Sequence, residues 1–219
     1  MQLVESLNKL KLELGMRMII SGIAGIPPST TSLRLIESGW GNDGFRASRG
    51  FLQAVSDITT STKGPILELG TGLTTILLGA IAARTGVQVW SLEHSPEFFF
   101  RISNVLNHFA LKNVSVRLAE LKDYGDFSWY NTQVIYDFPD SFSLVVADGP
   151  PGNTKGGRIG LLPLLKDRLS NDVQILLDDA ERESETITLT EWEREWGIKS
   201  NIYNGTNGKK LALCTFNSR

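Results

Sequence analysis

Glu68, Glu93, Asp148, Asp178 and Asp179 each stand at the end of a short apolar run, and glycines follow two of them: Gly70 and Gly72 after Glu68, Gly149 and Gly152 after Asp148. Carboxylates so placed can accept hydrogen bonds from sugar hydroxyls, balance a positive ligand, take a proton or hold a hard cation. Gly70 and Gly72, with Thr71 between them, allow a tight turn and a close backbone approach to a ligand at a helix N-terminus. A dinucleotide fingerprint would place a third glycine at position 75, where the chain has Thr75. An acid directly before the glycines is also out of place beside a pyrophosphate. Glu93 lies about 20 residues beyond the glycines, the spacing at which a carboxylate reaches both ribose hydroxyls. A nucleoside without a pyrophosphate, carrying a positive group near Glu68, fits these residues better than NAD. His94 is grouped with its neighbour Glu93, although strand alternation turns it toward the other face. Glu120 either approaches an adenine amine or faces solvent.

These acids can meet only if strands end at them and helices lead away. From Lys63 onward the pattern supplies both. Residues 65–69, 87–93, 114–118, 142–148 and 173–178 read as strands; 73–84, 161–169 and 182–196 read as helices. Ser95-Pro96-Glu97 opens a further helix, with Ser as N-cap, Pro at the first position and an acid in the first turn. Residues 198–203 and 211–216 read as two strands about a 204–208 turn, with no helix between them. The expected fold is α/β: a Rossmann-like, seven-stranded, mostly parallel sheet with an antiparallel last strand and helices on both faces. Residues 1–60 read as a helical N-terminal extension serving as a substrate lid or an oligomer contact, and 61–219 as the cofactor-binding domain.

Composition sets the outer limits. The 219 residues carry 22 Lys+Arg against 24 Asp+Glu, and with 41% hydrophobic residues they suit an ordinary globular protein. The near-neutral balance argues against a partner held by phosphate neutralisation, so no nucleic acid is expected. One cysteine, Cys214, and two histidines, His94 and His108, leave no disulfide framework and no Cys/His metal site. No segment reaches the ~18 apolar residues of a membrane span. Acidic Glu5 and Glu13 precede the early apolar stretch 16–27, against a signal peptide. No membrane partner and a cytoplasmic location are expected. The apolar first helix could pair between subunits as a homodimer contact.

Glu68-x-Gly70-x-Gly72 and Ser91-Leu92-Glu93-His94-Ser95-Pro96 resemble the first two motifs of class I S-adenosylmethionine-dependent methyltransferases. The resemblance covers about residue 63 to the C-terminus. It implies S-adenosylmethionine as cofactor, held by Glu68, Gly70, Thr71, Gly72, Glu93, His94, Glu120 and Asp148. Asp148-Gly149-Pro150-Pro151-Gly152, then Gly157-Arg158, then Asp178-Asp179-Ala180-Glu181-Arg182-Glu183-Ser184-Glu185, is similar to glucuronoxylan 4-O-methyltransferases and to methyltransferase family 24. The paired acids are similar to those of cation-dependent sugar and catechol O-methyltransferases. This implies methylation of a small-molecule or saccharide hydroxyl. The lysine that is the base in catechol-type enzymes would stand at position 151, which is Pro151 here.

A hydroxyl is a poor nucleophile near pH 7 and needs a base or a metal. Asp148, Asp178 and Asp179, ending two neighbouring strands, would form a hard oxygen site suited to Mg²⁺ or Mn²⁺. Successive strand residues point to opposite faces, so Asp178 and Asp179 can converge only if the chain turns there. The alternative is that one of them caps the next helix. Asp148 is the expected catalytic residue, as metal ligand, base or contact to the cofactor's methionine end. Arg158 either grips an anionic acceptor or forms a structural ion pair. Trp40, Asn42, Phe45 and Arg46 either lid the acceptor site or pack, and Tyr130 either walls the acceptor pocket or packs. Rival readings are an N-methyltransferase of a small metabolite or protein working without metal, a non-catalytic nucleoside-binding module, and a nicotinamide oxidoreductase.

Overall fold

The computed structural model describes residues 2–41, 47–205 and 208–216. The chain opens with three helices, α1 (Gln2–Ile20), α2 (Thr30–Trp40) and α3 (Arg49–Ser61). Ser29 and Ser48 cap the second and third, each accepting a hydrogen bond from the backbone N–H three residues on. The caps satisfy donors that a first helical turn leaves open.

The remaining elements alternate as expected: β1 (Ile66–Leu69), α4 (Leu73–Thr85), β2 (Val89–Glu93), α5 (Pro96–His108), β3 (Val114–Leu118), then β4 (Leu121–Asp123) and β5 (Ser128–Tyr130). They continue as β6 (Phe142–Ala147), α6 (Leu161–Leu165), β7 (Leu169–Leu177), α7 (Glu183–Trp196), β8 (Ile198–Asn204) and β9 (Lys210–Phe216). The main sheet has seven strands in the order β3-β2-β1-β6-β7-β9-β8. Only β9 runs against the others, antiparallel to both β7 and β8. Strand order reverses between β1 and β6, and it is beyond the carboxyl ends of strands at such a point that open α/β sheets bind ligands.

Side chains alternate to two apolar layers. Ile66, Leu144, Val146 and Leu176 face a core shared with α4 and with Met16, Ile36, Phe51 and Leu52 of the first three helices. Leu67, Val145, Ile175 and Leu177 face a second core with Trp129, Leu161 and Trp192. Three local expectations change. Helix α6 ends at Leu165, and β7 begins at Leu169, earlier than the 173–178 run suggested. The 30–40 segment is a separate helix. The β4–β5 hairpin about Gly125 forms a small sheet of its own, anchored by fully buried Trp129 and Tyr130.

Candidate cofactor and acceptor site

The backbone ladder of the parallel strands runs on into the loops at their carboxyl ends. Gly70 N–H donates to Leu92 O at 2.9 Å and Asp148 N–H to Leu69 O at 3.0 Å. Gly70 has φ +84°, and a Cβ there would lie 3.0 Å from the Gly149 backbone. A Cβ on Gly149 would strike Gly70 and the Tyr130 hydroxyl. Two glycines therefore let the β1 and β6 loops close against each other.

Glu93, at the end of β2, is 3% exposed. Its Oε2 accepts from Thr71 N–H at 2.9 Å and Thr71 Oγ1 at 2.7 Å, and its Oε1 accepts from Ser95 N–H at 2.7 Å. His94 Nδ1 lies 3.1 Å from Oε1. Burial pushes the Glu93 carboxyl up, but these neighbours outweigh it, and the group titrates below its ordinary value. A carboxylate that is ionised at neutral pH thus stands at the N-terminal ends of α4 and α5. The Thr71 hydroxyl is a rotor whose place on Glu93 a ribose hydroxyl can take.

A cavity of about 520 Å³ opens over this turn. Of the expected residues, Gly70, Thr71, Glu93, His94, Tyr130, Asp148, Arg158, Asp178 and Asp179 line it. Ser48, Phe98, Asn153, Arg182 and Lys209 also line it and were not singled out from the sequence. Weak signals existed for two of them: the aromatic run at the start of α5 for Phe98, and the place of Arg182 three residues after Asp179.

Four of the expected residues do not line the cavity. Glu68 is fully buried beneath the turn and does not line the cavity; Ser91 Oγ donates to its Oε2 at 2.6 Å. Burial pushes its carboxyl up to about 7, against hydrogen bonds from Ser91, Thr74 and Thr75. Gly72 caps α4 and Glu120 is exposed, its carbonyl accepting from Asn131 N–H, and neither lines the cavity. Trp40 is a packing residue, 8% exposed with the Arg101 guanidinium 4.4 Å over its ring. Asn42, Phe45 and Arg46 lie outside the described residues.

Arg158 takes the structural one of its two expected roles. It is 1% exposed and donates to the carbonyls of Ala147, Asp148 and Asp178 at 3.3, 3.0 and 2.6 Å. It ties the carboxyl ends of β6 and β7 together instead of reaching out to an acceptor.

The three aspartates do converge, with carboxylate oxygens within 4.8 Å of one another. The turn this requires is present: Asp179 takes φ +57°, breaking the strand alternation. They do not fit the expected Mg²⁺ or Mn²⁺ site. Asp179 receives Arg158 at 3.2 Å, Arg182 at 2.8 Å and Lys209 at 2.6 Å, so both its oxygens are engaged by cations. Arg158 is also 3.5 Å from Asp148. Arg158, Arg182 and Lys209 would have to leave Asp179 before it could ligate a dication, and Lys209 and Arg158 also stand beside Glu181 and Glu185. Burial pushes the Asp179 carboxyl up, but Lys209, Arg158 and Arg182 outweigh it and hold it below the ordinary range. Burial pushes Asp148 up to about 6 despite Arg158. Asp178 is pushed up to about 8, by burial and then by the negative charges of Asp148 and Asp179.

No family model matches the sequence, and no curated protein does. Solved structures match the fold. The SAH-bound methyltransferase PaMTH1 of Podospora anserina superposes with a TM-score of 0.62 at 10% identity, covering 95% of this chain and 88% of its own. The N-terminal domain of human METTL16 in complex with SAH gives 0.57 at 14% identity, with coverages of 86% and 83%. The ribosomal protein L11 methylase of Lactobacillus delbrueckii subsp. bulgaricus gives 0.52 at 13% identity, with coverages of 78% and 79%. At these identities the likeness shows the fold, which is the Rossmann-like methyltransferase fold. None of the three is named as an O-methyltransferase. The expected partners, a small-molecule or saccharide acceptor and no nucleic acid, need correction: structures of this fold include a methylase named for a ribosomal protein, so the likeness does not single out a small acceptor.

Proposed function

We propose that this chain is an S-adenosylmethionine-dependent methyltransferase acting on an acceptor with an O–H or N–H nucleophile, without a metal. One observation carries the reading: the Glu93 carboxylate is tied to Thr71 in the Gly70-Thr71-Gly72 turn, inside the cavity at the point where strand order reverses. When bound, the cofactor supplies a methyl group already activated on a sulfonium.

The chain's own residues bind and orient. Glu93 accepts from ribose hydroxyls, and the Gly70 backbone allows close approach. Phe98 offers a ring and His94 an imidazole along the same wall. Asp148, 22% exposed at its side chain, faces the cavity beside Gly149 and supplies negative charge for a positive group. Positioning both reactants accounts for most of the rate in such a displacement. Residues 1–60 would form the acceptor-side wall, which the cavity contact of Ser48 supports.

Calorimetric titration with S-adenosylhomocysteine tests the reading. Binding in the micromolar range is expected. Glu93→Ala should weaken it roughly tenfold to a hundredfold, the effect of removing charge-assisted hydrogen bonds. Wild-type protein that shows no binding at millimolar ligand sinks the reading.

A further inference from the structure

Three cations share the Asp179 carboxylate, and they are not equivalent. Arg158 is buried and has two further acids, Asp148 at 3.5 Å and Glu185 at 3.6 Å. Lys209 has Glu181 at 3.1 Å as well as Asp179 at 2.6 Å. Among the described residues Arg182 has Asp179 alone, reached by one nitrogen, Nη1, at 2.8 Å. A guanidinium carries several N–H donors, so most of those on Arg182 are not spoken for. Its side chain lines the cavity and is 42% exposed against 8% for Asp179, so a group entering there meets the cation first. The backbone holds the guanidinium in place. The left-handed turn at Asp179 sets Arg182 three residues on, and Arg182 N–H donates to the Asp179 carbonyl at 2.9 Å. Gly152, in the loop after β6, makes room for it: a Cβ there would lie 3.0 Å from Arg182 Nη1. Strand order fixes which end of the cavity this is. Glu93 ends β2, whereas Arg182 follows β7, three strands along the sheet and roughly 14 Å away. A ribose held at Glu93 leaves Arg182 at the opposite end, where an acceptor would enter.

We propose that Arg182 selects an acceptor carrying an anionic group, a phosphate or a carboxylate, which it binds through the N–H groups not turned to Asp179. The proposal rests on the methyltransferase reading and narrows its acceptor class. Hydrogen bonds from a guanidinium to such oxygens are charge-assisted and stronger than neutral ones, and the planar fork fixes the direction of approach. Asp179 orients the fork, and Gly152 keeps its place clear. Lys209, 41% exposed on the other oxygen of Asp179, adds positive charge beside it. The anion is thus held at the rim, while the group to be methylated reaches inward toward the cofactor. The role given to Arg158 by its Gly-Arg motif, gripping an anion, falls instead to an arginine that has the exposure for it.

The test needs no acceptor. Inorganic phosphate and acetate are the probes, each titrated at constant ionic strength into protein saturated with S-adenosylhomocysteine. Nitrogen-15 NMR follows the Arg182 Nε–H and the Gly152 amide. One probe should bind at low millimolar concentration and shift both signals, and the tighter of the two names the group. Arg182→Gln should weaken that probe at least about fivefold, read at the Gly152 amide, while S-adenosylhomocysteine affinity stays within about twofold. No binding of either probe at tens of millimolar overturns the proposal and leaves the methyltransferase reading standing. Probe affinity unchanged in Arg182→Gln does the same. A variant that loses S-adenosylhomocysteine affinity but keeps the probe assigns the guanidinium to the cofactor's own carboxylate, and that too overturns the proposal. No S-adenosylhomocysteine binding by wild type overturns both. Should the variant not fold, the wild-type titration decides: a shifted Arg182 signal supports the role, and an unmoved one overturns it.

Discussion

Glu68 stands opposite Ser91 in the β1–β2 register, and the hydrogen bond between them crosses two parallel strands beneath the cofactor turn. Its carboxyl titrates near 7 in the folded chain, against 4.5 ordinarily. Between those values the folded state keeps a proton that the unfolded chain has released. Stability from this group is therefore full below pH 4.5, falls as pH rises toward 7, and is level above that. The span corresponds to at most about 3 kcal/mol. Glu68→Gln should match wild type at pH 4.5 and exceed it at pH 8 in urea denaturation. A variant whose stability still falls by the same amount across that window would show that another group is responsible. Glu93 works in the opposite sense, since its lowered value stabilises the fold above 4.5 and loses that effect as acid protonates it. The sequence pointed to both acids from their places beside glycines and at strand ends. It assigned Glu93 to ribose hydroxyls and Glu68 to a positive ligand group, and only the three-dimensional register shows that Glu68 instead faces Ser91 while Glu93 meets Thr71. Spacing likewise brought Asp178 and Asp179 to one site, but their charge partners are remote in sequence. Lys209 lies 30 residues from Asp179, and no local pattern announces it.

At the scale of elements, the loop from β6 to α6 holds the site together through one side chain. Arg158 reaches back to carbonyls at the ends of both β6 and β7 and to Asp179, with Glu185 of α7 3.6 Å from its Nε. The Gly-Arg pair was visible in the sequence. Its partners are mostly backbone oxygens, which carry no residue-type signal, so an external anion stayed open beside a structural ion pair. Arg158→Met should cost about 3–5 kcal/mol, because it strands buried carboxylates without their cation. Chemical denaturation would measure the loss, and a cost below about 1 kcal/mol would place the stabilisation elsewhere. On the β1 side, Gly70→Ala forces a side chain into left-handed backbone and against Gly149. It should lower stability by about 1–3 kcal/mol and abolish S-adenosylhomocysteine binding. Retained affinity would show that the turn need not keep its shape. Helix α6 illustrates a different limit. Its helical spacing of leucines, Leu161, Leu162, Leu165 and Leu169, extends past its end, but Leu169 pairs with Phe142 in the sheet, and that tertiary contact overrides helical periodicity.

For the molecule as a whole, near-neutral charge conceals an uneven distribution. Acids and the cations that offset them collect at one edge of the sheet, while its two faces are apolar and covered. The alternation of the main-sheet strands and their helices was legible across residues 63–216, the β4–β5 hairpin and the α6–β7 boundary excepted, because buried parallel strands read as continuous apolar runs. The first 60 residues were legible as helical but not as part of the core. Their apolar positions match any amphipathic helix, and nothing local says which surface they cover. Met16, Ile36 and Phe51 have no exposed surface and join Ile76, Leu77 and Ile66 in one cluster. Such a shared core couples the helices to the sheet, so the chain should unfold in one transition. Ile36→Ala is remote from the cavity-lining residues and opens a void in that cluster. A loss of about 2–5 kcal/mol is expected, lowering the midpoint by about 5–15 °C. Saturating S-adenosylhomocysteine should still raise the midpoint of the variant, since its binding residues are untouched. Differential scanning calorimetry distinguishes the alternatives: one shifted peak supports a single cooperative unit, whereas an early peak with the main one unmoved would mean that the helices unfold on their own.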